Sequence, residues 1–155
     1  MTAPVFVDTN VLVYRHDNTD PAKQSRADEW LSTLVAQRAA RVSYQVLQEL
    51  FVTLTRKVQP PTADEEAREI VRDLASWQPI TIDLAIMERA WVNQRRYLLY
   101  WWDALIVAAA QSSGCVALLT EDLQHGQALG EVRVVNPFAE PGSPAKAILA
   151  GLTSR

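Results

Sequence analysis

Cysteine is nearly missing from this chain: Cys115 is the only one in 155 residues. An internal disulfide is therefore excluded, and so is a Cys-rich metal site. A lone thiol suits a reducing cytoplasm, where the protein is expected to work. Histidine is almost as scarce. His16 and His125 are the only two and lie far apart in sequence, so no His cluster competes for zinc. Basic excess is lacking too. The chain has 15 Lys and Arg against 18 Asp and Glu, a net charge of −3. No overall positive field advertises nucleic acid, although a local patch can serve. Long apolar runs are absent as well. The longest, Ala104 to Ala110, is far too short to cross a bilayer. The N-terminal apolar stretch is broken by Asp8 and Asn10 and has no basic flank, so no signal peptide and no membrane association are expected. No internal repeat or low-complexity tract is visible.

What is present suits one folded domain. A chain of 155 residues with 48% hydrophobic content can bury a sizeable core without disulfides or structural zinc. Val5–Val7 reads as a buried strand with a short helix after it. The segment 20–40 has Asp20 as a cap, Pro21 in the first turn, and Trp30, Leu31, Leu34 and Val35 at helical spacing. A short strand over 41–44 precedes a helix over 45–58, whose apolar stripe includes Val46, Leu50 and Leu54. Pro60 and Pro61 stop it, and a further helix runs from Thr62 or Asp64 to about Trp77. The stretch "PITID" (79–83) is expected to hold a strand, followed by a helix from Asp83 to about Tyr97. An almost wholly apolar helix over 102–114 closes at Gly114. Strands are expected at 115–120 and 132–135. Strands alternating with helices indicate an α/β fold with a central, mainly parallel sheet. Residues 1–138 form the expected domain. Residues 139–155 read as a C-terminal tail of unassigned role, with a short helix near Ala145–Leu152.

Four acids stand where a core would not want them. In a parallel sheet, sites form at the carboxyl edges of strands. Asp8, in "VFVDTNVLVY", ends the first strand, and Asp122, in "ALLTEDLQHG", follows a later one. Each alone also suits a helix or turn cap. Asp103 shares a helical face with Ile106, Val107 and Ala110. A carboxylate there is costly to bury unless paired or bound to a cation, although a helix start offsets part of that cost. Glu49 lies at the border of an apolar stripe, where a solvated Glu is the commoner case. If the four converge, mutual repulsion demands a cation, and an all-oxygen set favours Mg²⁺ or Mn²⁺.

Taken together, "VDTNVLVY", the Glu49 helix, "WWDALIVAAA" and "LLTEDLQHG…VVNPF" resemble a PIN domain. The resemblance is closer still to the VapC-type toxins of bacterial toxin–antitoxin pairs, and it runs from about residue 4 to 138. It implies a three-layer α/β/α fold and metal-dependent ribonuclease activity. It also implies a cognate antitoxin and a homodimer. By the same resemblance, Asp8, Glu49, Asp103 and Asp122 are the catalytic, metal-holding acids. Thr9, Asn10 and Thr120 are supporting polar neighbours. Glu121, beside Asp122, leaves open which of the two acids reaches the metal.

An acidic cluster repels RNA, so basic side chains must guide the phosphates. Arg95 and Arg96, among Tyr97, Tyr100, Trp101 and Trp102, combine charge with stacking surfaces. Arg15, Arg56 and Lys57 are further candidates, each of which also reads as a solvated charge. Most of the tryptophans, Trp30, Trp77 and Trp91 included, read equally as core or partner surface. Competing readings are a structure-specific DNA nuclease and a catalytically inactive binding module. A phosphatase with an aspartyl nucleophile is disfavoured, because Asn10 stands two residues after Asp8, where a second Asp is usual.

Overall fold

The computed structural model describes residues 2–154. Its elements run β1 (Val5–Val7), α1 (Thr9–Tyr14), α2 (Pro21–Ala36), β2 (Ala40–Arg41), α3 (Tyr44–Arg56), α4 (Asp64–Leu74), α5 (Leu84–Tyr97), α6 (Trp101–Ser112), β3 (Ala117–Leu119), β4 (Ala128–Leu129), β5 (Val132–Val135) and α7 (Ala145–Thr153). A single 3-10 turn, Ala75–Trp77, extends α4.

The sheet has the order β2-β1-β3-β5-β4. All neighbours are parallel except the β4–β5 pair. β1 lies inside the sheet between β2 and β3, and Val5, Phe6 and Val7 are all fully buried, which suits a strand covered on both faces. Its register sets Val7 beside Leu119, so residues 8 and 120 leave the sheet side by side. Helices flank this mostly parallel sheet. α6 lies against β3 and β5, with α5 packed on it through Ile86, Ala90, Ala104, Leu105 and Ala108. α1 packs on α2 and α3, α3 on α4, and α2 on α7.

Local chemistry explains the helix starts. The Asp20, Ser43 and Asp83 side chains accept from the backbone N–H groups of Lys23, Val46 and Ile86 respectively, each satisfying an orphan donor of the first turn. α4 lacks such a cap but gathers Asp64, Glu65 and Glu66 in its first turn, which complements the helix dipole.

One expectation needs correcting. "PITID" holds no strand; it makes one isolated bridge, Ile80 to Ser43. Pro79 has no N–H to give a ladder, and Asp83 is taken up capping α5. The hairpin strand β4 was not anticipated. It pairs with β5 across a turn in which Gly130 has φ 65°, a conformation that glycine adopts without a Cβ penalty.

Candidate active site

The site is built at the carboxyl edge of β1 and β3. Asp8 caps α1 and is only 6% exposed. Its Oδ1 accepts from the Thr9 N–H at 2.7 Å. Its Oδ2 accepts from the Thr120 hydroxyl at 2.8 Å and the Asn10 amide at 3.2 Å. The same Asn10 amide donates to Asp122 Oδ2 at 3.1 Å. Thr9 turns its hydroxyl the other way and donates to Glu49 Oε2 at 2.7 Å. Asn10 thus links Asp8 to Asp122, and Thr9 links Asp8 to Glu49. Thr120 also accepts from the Asp122 N–H at 3.1 Å, which shapes the turn after β3.

Asp103 projects from the first turn of α6, half-buried. Among the described residues it makes no side-chain hydrogen bond and no ion pair. Its carboxyl is raised above the ordinary range by burial, then by the negative charges of Asp122 and Glu49. Asp8 is pushed up to about 7, chiefly by burial. The Thr120 and Thr9 donors oppose that rise, and the Asp122 and Glu49 charges add to it. Asp8 and Asp103 therefore each feel the charges of Asp122 and Glu49. No Lys or Arg forms an ion pair with any of them among the described residues.

Glu121 is engaged differently. It accepts from the Tyr14 hydroxyl and pairs with Lys23 at 2.9 Å, while its neighbour Asp122 stays exposed beside Asn10. Among the described residues, no three or more Asp, Glu, His or Cys side chains are grouped so that they could hold a metal ion as they stand. The donor chemistry nonetheless fits a hard divalent cation. It consists of carboxylate oxygens only, none neutralised by a protein cation, with neutral Thr and Asn donors holding three of the carboxylates, Asp8, Glu49 and Asp122.

Of the guiding residues, Arg15 pairs with Asp28 at 3.1 Å. Arg95 and Arg96 are exposed on the last turn of α5, where Arg96 lies over the Tyr97 ring. Among the described residues neither makes a hydrogen bond or ion pair with the acids. Lys57, by contrast, lines a cleft of 570 Å³ together with Thr9, Asn10, Glu49 and Trp102. Sequence reasoning passed over Gln45 altogether. It is buried one turn before Glu49 and donates to Glu49 Oε1 at 2.9 Å and to the Trp102 carbonyl at 3.2 Å. The four-residue spacing from Gln45 to Glu49 was the available signal.

None of the chain's described helices is long and apolar enough to cross a membrane. No curated protein matches the sequence. A family model does: that of the PIN domain, over residues 5–128. The match begins with β1 and reaches the first residue of β4. The strands and helices that carry Asp8, Glu49, Asp103 and Asp122 all lie inside it, and the chain belongs to the PIN-domain family.

Proposed function

We propose that the protein is an endoribonuclease that hydrolyses RNA phosphodiester bonds with Mg²⁺ or Mn²⁺, and that it acts in the cytoplasm as the toxin of a toxin–antitoxin pair. PIN domains are generally metal-dependent nucleases; the RNA substrate and the toxin role are the finer reading. One observation carries it: Thr9, Asn10 and Thr120 tie Asp8, Glu49 and Asp122 together at one sheet edge without a protein counter-charge, and the Asp122 and Glu49 charges act on Asp103 as well.

In this reading Asp8, Asp103 and Asp122 hold the metal, and Glu49 holds metal or orients the attacking water. A bound divalent cation supplies an activated water and charge neutralisation at the phosphate. The chain's own residues set the geometry. Thr9 and Gln45 each hold one oxygen of Glu49, so its carboxylate cannot rotate away from the cleft. Burial of Asp8 and its three donors fix that carboxylate against the sheet. Water adds to phosphorus, the P–O bond to the neighbouring nucleotide breaks, and the leaving oxygen takes up a proton.

Residues 1–138 carry the nuclease, and α7 in the segment that follows braces it by packing on α2. A homodimer is supported by apolar exposure on α5, where Leu84, Trp91 and Val92 face solvent. The deciding assay is cleavage of total RNA with Mg²⁺ or Mn²⁺ and with EDTA. Asp103→Asn and Asp122→Asn should each lower the rate at least about 100-fold, since each removes a charge that stabilises the bound cation. RNA left intact by the wild-type protein under all metal conditions would refute the ribonuclease. The toxin role requires that expression alone slow bacterial growth and that a co-expressed antitoxin restore it.

A further inference from the structure

Trp102 is the conspicuous side chain of this surface. It directly precedes Asp103 and is 63% exposed, although a large aromatic ring is mostly buried on average. Its backbone is not loose. The Trp102 carbonyl accepts from the buried Gln45 amide, and the same amide holds Glu49 Oε1. One side chain therefore fixes the distance between the root of the indole and a carboxylate of the site.

The indole stands between two hollows. One is the 570 Å³ cleft beside Thr9 and Asn10; the other, of 680 Å³, is walled by Val52, Ile82 and Leu105. Glu49, Trp102 and Lys57 line both. Lys57 caps the C-terminus of α3, is exposed, and forms no ion pair among the described residues. An aromatic face and a free ammonium thus flank the same carboxylate.

We propose that Trp102 and Lys57 form a one-nucleotide subsite beside Glu49, in which the indole stacks on an unpaired base and the ammonium holds the phosphate next to it. This rests on the nuclease reading above and assigns the residues that set its register. Charge decides the occupant. The acids repel a polyanion, so a nucleotide needs a cation close to them, and Lys57 supplies it. Stacking supplies affinity that tolerates any base, because every base has a π-face. Gln45 is the positioning residue: by holding both Trp102 and Glu49, it sets how far the stacked base lies from the bond to be cut.

The test is binding before cleavage. A fluorescein-labelled uridine octamer is titrated by anisotropy at low salt in EDTA. Trp102→Ala should weaken binding about 5- to 150-fold, the range of losing one stacked base, and Trp102→Phe should recover most of it. Lys57→Met should weaken binding and flatten its salt dependence by about one phosphate contact. In Mn²⁺, Trp102→Ala should raise KM with kcat little changed. An abasic substitution at the stacked position should erase the difference between wild type and Trp102→Ala. Equal binding by wild type and Trp102→Ala overturns the subsite and leaves the nuclease standing. Failure of the octamer to bind at all also overturns it, and points the exposed indole to a protein partner. Trp102-dependent binding without cleavage in any metal keeps the subsite and removes the nuclease.

Discussion

Asp8 and Asp103 carry the same charge but are secured differently. Three donors hold Asp8, whereas Asp103 has none among the described residues. Both carboxyls are raised above the ordinary range, so the folded state binds protons that the unfolded chain has released. The stability linked to Asp8 is fully present below pH 4 and is lost as pH rises through about 7. A rise from the ordinary 3.8 to about 7 corresponds to a loss on the order of 4 kcal/mol for the metal-free protein. Asp103→Asn is the cleaner probe of this repulsion, because it removes charge without removing a hydrogen bond. In EDTA at pH 7.5 it should raise the melting temperature by about 2–4 °C, as expected for a gain of about 1 kcal/mol. The gain should shrink as pH falls into the ordinary carboxylate range, where protonation of the folded-state carboxyls removes the repulsion. Excess Mn²⁺ should reverse the order, because an ion bound only by the folded state stabilises the better binder. Melts that place Asp103→Asn below wild type in EDTA at pH 7.5 would rule out repulsion as the dominant effect. Asp8 was legible in the sequence because three apolar, β-prone residues run straight into it. Gln45 was not, because a Gln on a helix gives no sign of burial until the carbonyl it bonds, 57 residues away, is in place.

Three elements end on non-glycine residues in the left-handed region: α2 near Arg38, the 3-10 turn at Gln78 and α5 at Leu98. Leu98 has φ 56° and is 89% exposed, so its side chain contributes little packing against the strain of its backbone. That strain is about 1–2 kcal/mol for an L-residue, and the extra unfolded-state freedom of glycine offsets part of it. Leu98→Gly should therefore stabilise the protein by about 0.5–1 kcal/mol in urea unfolding, with an unchanged m-value. Leu98→Val, β-branched at the same φ, should destabilise it. The helices were legible because apolar residues recur at their period and Asp20 and Asp83 announce their starts. The short edge pairings were not. β4 has two residues, too few for any alternation to show. "PITID" offered β-prone residues, but capping α5 and the missing Pro79 N–H outweighed that propensity.

For the whole molecule, the segment after β5 is tied down rather than trailing. Arg26, itself buried, donates to the Pro137 carbonyl at 2.7 Å and to the Glu140 carbonyl at 2.9 Å. Glu29 accepts from the Ala145 N–H at 2.9 Å, and Leu149 of α7 is 1% exposed within the core. Leu149→Ala should cost about 2–5 kcal/mol. RNA cleavage measured well below its melting point should be unaffected, because α7 packs on α2, away from the carboxylates. The helix itself was legible, but its docking was not, since the partners are carbonyls reached across more than 100 residues. The pairing of β1 with β3 has a similar reach: Asp8 takes its hydrogen bond from Thr120, 112 positions along the chain. Contacts so distant in sequence form late, after a long loop has closed. A polypeptide emerging from the ribosome as far as α5 already contains Asp8 and Glu49, yet has no β3 beside which to seat them. Its acids can come together only after β3 and Asp122 have been made, so a nascent chain that stops short of them cannot hold the carboxylate cluster that the β1–β3 pairing assembles.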